Sequence, residues 1–426
     1  MTDVAAWEQV REQWPDLRRI DLVLGLPTFN HASTVELTVK AIVAGLEAAF
    51  PHASILLVNA DAGSQDGTPD ILQQTVGGVF PLASIQHLTG GLSANASALH
   101  RLSESGVPER EEAFRSIFSI AAELQAKACV VIDAHLRSVS PEWIERLAQP
   151  ILEKGVDYVA PVFRRQRYEG SLTSSLIAPL TRALYGQRMT CQTGGGYGFS
   201  PKLTNLYLEK YMQEGTAARF GMDSWLTSVP VAEQCTVWQA FLGAKVQEGK
   251  PVGQDVSVVL SQAVGASFHY MEHYQNVWEL RTGSSCVPAI GLPYEPGSDS
   301  VAINVERMVK GFRQGLRDLL PIWEMILAPD TLAGILALGL ADEEEFRFPI
   351  PLWVQAVYDF AVAYHEQVLH REHLLKSLTP LYLGRTASLV LETREEPPEK
   401  IEQTIERVAE TFERMKPYLV GRWRFQ

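Results

Sequence analysis

Val130-Val131-Ile132-Asp133-Ala134-His135-Leu136-Arg137-Ser138 decides the fold. An apolar run from Ala128 to Ile132 reads as a strand buried on both faces, which is the pattern of a parallel sheet. It stops at an acid, a small residue and an imidazole, so Asp133 and His135 emerge at the carboxyl end of the strand. Open α/β sheets take their ligands there. The corner suits a metal and a phosphate.

On either side of that strand the chain alternates between strand and helix. Leu22 to Leu26 is a first strand that stops at Pro27-Thr28-Phe29-Asn30, and Val35, Val39, Ile42, Val43, Leu46 and Phe50 follow with helical spacing. Ile55 to Val58 is a second strand, leading into Asn59-Ala60-Asp61-Ala62-Gly63-Ser64-Gln65-Asp66-Gly67-Thr68-Pro69, where Thr68 and Pro69 suit a helix start. A third strand is expected near Ala83 to His87, and Ala113, Phe114, Ile117, Phe118, Ala121 and Leu124 mark the helix before Asp133. Ser140-Pro141 opens another helix, and Tyr158 to Phe163 is a further strand. The alternation predicts a doubly wound, largely parallel sheet. Farther on, four glycines crowd Gly194-Gly195-Gly196-Tyr197-Gly198, a loop that lets backbone approach a neighbour closely. Gly221-Met222-Asp223-Ser224-Trp225 opens a helix with an acid in its first turn. The expected organisation is an N-terminal helical segment over 1–19, a sheet domain over 20–285 and a helical domain over 286–426.

Composition narrows the function. The chain has 426 residues, 46% of them hydrophobic, enough for a sizeable core in more than one domain. Its 50 acidic residues exceed 37 basic ones, for a formal charge of −13, which argues against nucleic-acid partners and against a polybasic membrane tether. Cys129, Cys191, Cys235 and Cys286 are scattered without metal or disulfide spacing, as in a reducing compartment. The first 19 residues lack an apolar signal core, and Leu332 to Ala341 is too short to span a bilayer. The expectation is a cytoplasmic protein with no transmembrane segment.

Taken together, Pro27 to Asn30, the Asn59 to Thr68 loop, the Asp133 strand end, the Gly194 to Gly198 loop and Gly221 to Trp225 resemble, in order and spacing, the GT-A-fold glycosyltransferases. The similarity is to the family-2-like group related to glucosyl-3-phosphoglycerate synthase and mannosylglycerate synthase. It spans roughly residues 20 to 280, and Tyr358 to His365 in the helical tail is similar too. The resemblance implies a Rossmann-like, doubly wound mixed sheet with a helical C-terminal domain. It implies transfer of a hexose from a UDP- or GDP-linked donor to a small, glycerate-like acceptor, with retention of anomeric configuration. Pro27, Thr28 and Asn30 would line the base pocket, Asp61 would hold the nucleoside and Arg110 a phosphate. Asp133 and His135 would bind a divalent metal, with Asp133 also on the donor-sugar side, Gly194 and Gly195 would pass beneath the sugar, and Asp223 would serve the acceptor as the catalytic acid. The one protein partner it suggests is a second copy of the chain.

Four departures from the family pattern bear on that chemistry. The usual Asp-x-Asp is Asp133-Ala134-His135, and imidazole in place of a carboxylate favours Mn²⁺ over Mg²⁺. A Gly-Lys-Gly that relatives carry before the helix leading to that strand is here Glu109-Arg110-Glu111, two carboxylates beside a phosphate site. The acid that tends to follow the paired glycines is Gly196, then Tyr197. A histidine expected after the last sheet strand aligns with Gln247. Together they motivate an alternative: a catalytically impaired pseudo-glycosyltransferase acting as a binding or regulatory subunit. A nucleotidyltransferase on a similar sheet is disfavoured, because the first strand leads to Pro27-Thr28-Phe29-Asn30 in place of a Gly-rich phosphate loop. His269-Tyr270-Met271-Glu272-His273 has the His-x-x-Glu-His form of an inverted zinc-peptidase motif, a short pattern that arises readily by chance.

Overall fold

The computed structural model describes residues 3–86, 110–164, 166–190, 194–214, 222–246, 255–293, 303–342 and 345–424. The chain divides into two compact units. The first comprises Met1–Arg164, Gln192–Val252 and Val287–Tyr294, and the second Arg165–Cys191, Gly253–Cys286 and Glu295–Gln426. Both are therefore discontinuous in sequence.

The first unit is built on an eight-stranded sheet. Its strands are β1 (Leu22–Thr28), β2 (Ile55–Asp61), β3 (Leu82–Gln86), β4 (Ala128–Ile132), β5 (Tyr158–Arg164), β7 (Gly196–Phe199), β8 (Val237–Ala244) and β10 (Ala289–Ile290). Their order across the sheet is β10-β8-β5-β7-β4-β1-β2-β3, and β7 alone runs antiparallel to its neighbours β4 and β5. The remaining pairs are parallel. This is the doubly wound mixed sheet expected from the alternating pattern. β1, β2 and β4 are buried at every residue, as both-face coverage requires.

Helices α1 (Val4–Gln13), α2 (Val35–Ala49), α3 (Thr68–Val76), α4 (Arg110–Glu123), α5 (Pro141–Lys154) and, farther along the chain, α7 (Pro201–Glu214) and α8 (Met222–Ala232) belong to this unit. Val35, Val39, Ile42 and Leu46 form the buried stripe of α2, in one core with Leu24, Leu57, Val130 and Ile144. The α2–α5 packing is close: a Cβ on Gly45 would lie 2.4 Å from the Pro141 carbonyl oxygen. Across the sheet, α4 presents Phe114 and Phe118 to Tyr197 and Phe199 of β7, edge-on, with ring centroids 5.0–6.4 Å apart. Helix α1 does more than its weak amphipathicity suggests. Gln9 and Gln13 each pair a side-chain amide with the exposed backbone of β3, at Gln86 and Ser84, over 2.8–3.3 Å. Those bonds satisfy an edge strand that would otherwise be a template for aggregation.

The second unit is helical, with a two-residue pairing of β6 (Gln187–Arg188) and β9 (Ser285–Cys286). Its longer helices are Val256–His273, Val305–Asp318, Ile350–His365, Thr379–Thr393 and Pro398–Arg424. Trp278, Trp323, Trp353 and Tyr358 are fully buried in it. Thr173–Ile177 is a π-helical turn leading directly into α6 (Ala178–Tyr185). Among the described residues, no helix is long and apolar enough to cross a membrane.

Close packing at β7 makes a direct prediction. A Cβ on Gly198 would fall 2.2 Å from the Leu147 carbonyl oxygen of α5, so Gly198→Ala should cost on the order of 1–3 kcal/mol or more through overpacking. A Cβ on Gly421 meets nothing within 4 Å on its helix, so Gly421→Ala should gain roughly 0.5–1 kcal/mol. Urea unfolding of both variants checks the pair; a Gly198→Ala protein as stable as wild type would contradict the packing argument.

Candidate functional site

The residues singled out from sequence gather at the carboxyl ends of adjacent strands. Asp133 follows β4, Thr28 ends β1 and Asp61 ends β2, so two loop systems lie side by side along one rim of the sheet. Thr34 of the first loop donates its hydroxyl to the Ala134 carbonyl at 2.8 Å, and Thr38 of α2 donates to Leu136 at 2.7 Å. His31 and His135 bring their rings to 6.1 Å between centroids. The strand-end corner is thereby held from the β1 side.

The β1 and β2 loops are stitched to each other. Asn30 takes the left-handed conformation (φ 53°), its N–H donates to Ser64 Oγ at 2.8 Å, and its Oδ1 accepts from the Gln65 N–H at 2.9 Å. Asp61 is buried and its carboxylate is engaged at both oxygens. Oδ2 accepts from the backbone N–H groups of Gly63 and Ser64, and Oδ1 from the hydroxyls of Thr28 (2.8 Å) and Ser64 (2.6 Å). Those four bonds approach the acceptor capacity of a carboxylate. Asp61 therefore shapes this loop whatever else it does. Asp66 accepts from the Ala32 N–H and from both the N–H and hydroxyl of Thr68, at the start of α3. Pro27 is buried within β1.

The second cluster is ionic. Arg110, the first residue of α4, is 2% exposed. Its Nε and Nη2 donate to Asp133 Oδ1 at 3.1 and 2.9 Å, Nη2 also to Asp133 Oδ2 at 2.7 Å, and Nη1 to Asp223 Oδ1 at 2.8 Å. One guanidinium thus bridges carboxylates from two distant parts of the chain, in the bidentate geometry that makes Arg–carboxylate pairs strong. Asp223 opens α8 (Met222–Ala232) and also accepts from the Tyr197 hydroxyl at 2.6 Å. That hydroxyl in turn accepts from the Gly194 N–H at 3.1 Å. Arg110 further lies over the Phe114 ring, 5.0 Å from its centroid.

Burial and charge set the protonation states. Burial raises the Asp223 carboxyl, but the Arg110 charge and the bonds from Arg110 and Tyr197 outweigh it, and the pKa falls below the ordinary value. Burial lowers Arg110, yet the charges of Asp133 and Asp223 reverse this and raise it further. Tyr197 is pushed well up, first by burial and then by Asp223, so its proton stays on. His135 is pushed down by burial, against the pull of Asp133, which leaves a neutral imidazole.

The glycine loop has its reason within the protein. A Cβ on Gly195 would lie 2.6 Å from Asp133 Oδ2, and one on Gly194 would lie 2.1 Å from the Phe163 ring. The Gly195 carbonyl also accepts from the Asp133 N–H at 2.8 Å. These glycines let β7 and its entry press against Asp133 and Phe163; neither has a positive φ.

A divalent metal does not fit the corner in this arrangement. Both oxygens of Asp133 are taken by Arg110, and among the described residues no group of three or more His, Cys, Asp or Glu side chains is placed to hold a metal. Glu109, Gly221 and Gln247 lie outside the described residues. The His269-to-His273 stretch sits on the second unit's Val256–His273 helix, where Glu272 receives two bonds from Arg371 at 2.7 and 2.9 Å. Tyr197 and the threonines at 34 and 38 were not among the residues expected here. Tyr197 interrupts a glycine run, the one signal that a side chain was required there.

A comparison with protein-family models finds no match, and none of the curated proteins is similar to the chain. Among solved structures, the chain is similar to glucosyl-3-phosphoglycerate synthase from Mycobacterium tuberculosis. The complex with Mn²⁺, UDP and glucosyl-3-phosphoglycerate aligns at 14% identity, covering 62% of this chain and 83% of that chain, with a TM-score of 0.38. The complex with Mn²⁺, UDP-glucose and phosphoglyceric acid aligns at 18% identity over 61% and 83%, with a TM-score of 0.36. A complex with Mg²⁺ and UDP aligns at 15% identity over 63% and 83%, with a TM-score of 0.37. The likeness assigns no residue a role.

The ion pair should be visible in acid. A carboxyl held below its unfolded pKa contributes stability that is present above about pH 4 and is lost as pH falls through the folded value. Between pH 7 and pH 3, wild type should therefore lose more stability than Asp223→Asn in urea unfolding. Parallel losses would show that the Asp223 charge contributes nothing.

Proposed function

We propose that this chain is a nucleotide-sugar-dependent glycosyltransferase of the GT-A type, transferring a hexose from a UDP- or GDP-linked donor to a small polar, glycerate-like acceptor with retention. The observation that carries the reading is convergence. Arg110, Asp133, Gly194 and Asp223 were singled out from separated stretches of sequence, and they meet in one hydrogen-bonded cluster at the end of β4. Beside it, at the ends of β1 and β2, lie Pro27, Thr28, Asn30 and Asp61, the residues proposed for the nucleoside.

In this reading the ionised Asp223 orients the acceptor hydroxyl, while Tyr197 and Arg110 hold its carboxylate in one position. Preorganised charge of this kind stabilises developing charge without reorganising during the reaction. Asn30, with its exposed side chain, faces the nucleoside. A second reading, a nucleotide-binding subunit without turnover, is favoured by one specific feature: Arg110 already neutralises the carboxylates that chemistry would use.

Turnover separates the two. Release of nucleoside diphosphate from UDP-glucose or GDP-mannose, with glycerate or 3-phosphoglycerate as acceptor, should be measurable and should fall by about a hundredfold or more in Asp223→Ala. The anomeric configuration of the product, read by NMR, tests retention. Nucleotide-induced thermal stabilisation with no release for any donor and acceptor would favour the binding subunit. Neither stabilisation nor release would sink both.

A further inference from the structure

We propose that Arg110 is the permanent counter-ion of the Asp133–Asp223 pair, so that the site takes up no divalent metal and binds its nucleotide equally well without one. The nucleotide half of this statement rests on the donor reading above; the metal half does not.

The geometry supports a fixed cation in several independent ways. Arg110 spends its Nε, Nη1 and Nη2 on two carboxylates at 2.7–3.1 Å and covers both oxygens of Asp133. A divalent ion binding Asp133 would have to displace a guanidinium that cannot lose its proton to leave. Displacement would strand a charged side chain that is only 2% exposed, with Phe114 against its face. Tyr197, itself held by the Gly194 N–H, donates to the same Asp223 Oδ1 that Arg110 Nη1 binds, so the far carboxylate is anchored at one oxygen by two donors.

The surrounding charges point the same way. Lys245 is near enough for its charge to act on both His135 and Asp223. Among the described residues, two carboxylates thus face the charges of Arg110 and Lys245, a balance that weakens the attraction for a doubly charged ion.

Mn²⁺ alone, titrated into the full-length protein and followed by electron paramagnetic resonance, tests the metal half. Wild type should leave millimolar Mn²⁺ free, whereas Arg110→Ala should bind it and Arg110→Ala combined with Asp133→Asn should not. Tight binding of Mn²⁺ by wild type that Asp133→Asn abolishes overturns the proposal. Because Arg110→Ala strands two carboxylates and can fail to fold, a wild-type measurement stands beside it. UDP affinity by calorimetry should be the same in EDTA and in Mn²⁺. A loss of about tenfold or more in EDTA overturns the proposal and leaves the donor reading intact. Absence of UDP binding in both conditions overturns the donor reading, and the Mn²⁺ titration of wild type alone then decides the role of Arg110.

Discussion

The contact between Arg110 and the carboxylates of Asp133 and Asp223 constrains the first unit more than any other. Three ionised groups are removed from water there, and such burial is tolerated only where each charge is met with good geometry. Meeting it brings Arg110 in the first turn of α4, Asp133 just beyond the end of β4 and Asp223 in the first turn of α8 within hydrogen-bond reach of one another. The pair therefore registers a helix, a strand end and a second helix against one another. Its loss on one side would leave the remaining charges uncompensated.

The rest of the rim is arranged to let this contact form. Gly194 and Gly195 give up side chains so that backbone can touch Phe163 and Asp133, and Tyr197 returns a side chain to hold Asp223. Phe114 and Phe118 pack α4 onto the aromatic side chains of β7, which keeps the base of Arg110 in place. On the other flank, Thr34 and Thr38 tie α2 and its entry to the loop after Asp133. Rigid elements with satisfied polar groups are what a site of fixed charge needs.

The helical unit solves a similar problem by different means. Asp359 is fully buried and is met by the Ala328 N–H at 2.9 Å, the Tyr418 hydroxyl at 2.5 Å and the Arg422 guanidinium. Arg385 is met by Glu392 and the Phe348 carbonyl. Arg182 of α6 is held between Glu406 and Glu413 on the last helix. Lys416 donates to the carbonyls of Leu184 and Arg281, and burial lowers its pKa to about 8. Pairwise satisfaction of buried charge recurs across helices distant in sequence, so it specifies which helix meets which.

The sequence by itself determined strands β1, β2, β4 and β5, their flanking helices and the rim where polar residues collect, whereas β7, whose glycines read as a loop, emerged only in the structure. Those features follow from local pattern: apolar runs at Leu22, Ile55 and Ala128, helical spacing at Val35 to Leu46, and polar residues where each run stops. It also singled out Arg110, Asp133, Gly194, Gly195 and Asp223, through their order in a resembled set. Only the tertiary structure decided what those residues do to one another. Spacing along a chain carries no information on whether a carboxylate meets a metal or a guanidinium, because that depends on how α4 and α8 pack around the end of β4. Likewise Asp61, an acid in a turn by sequence, becomes the brace of its own loop because Thr28 and Ser64 fold onto it. Local pattern decides where polar groups emerge; the packing of distant elements decides which charges they meet.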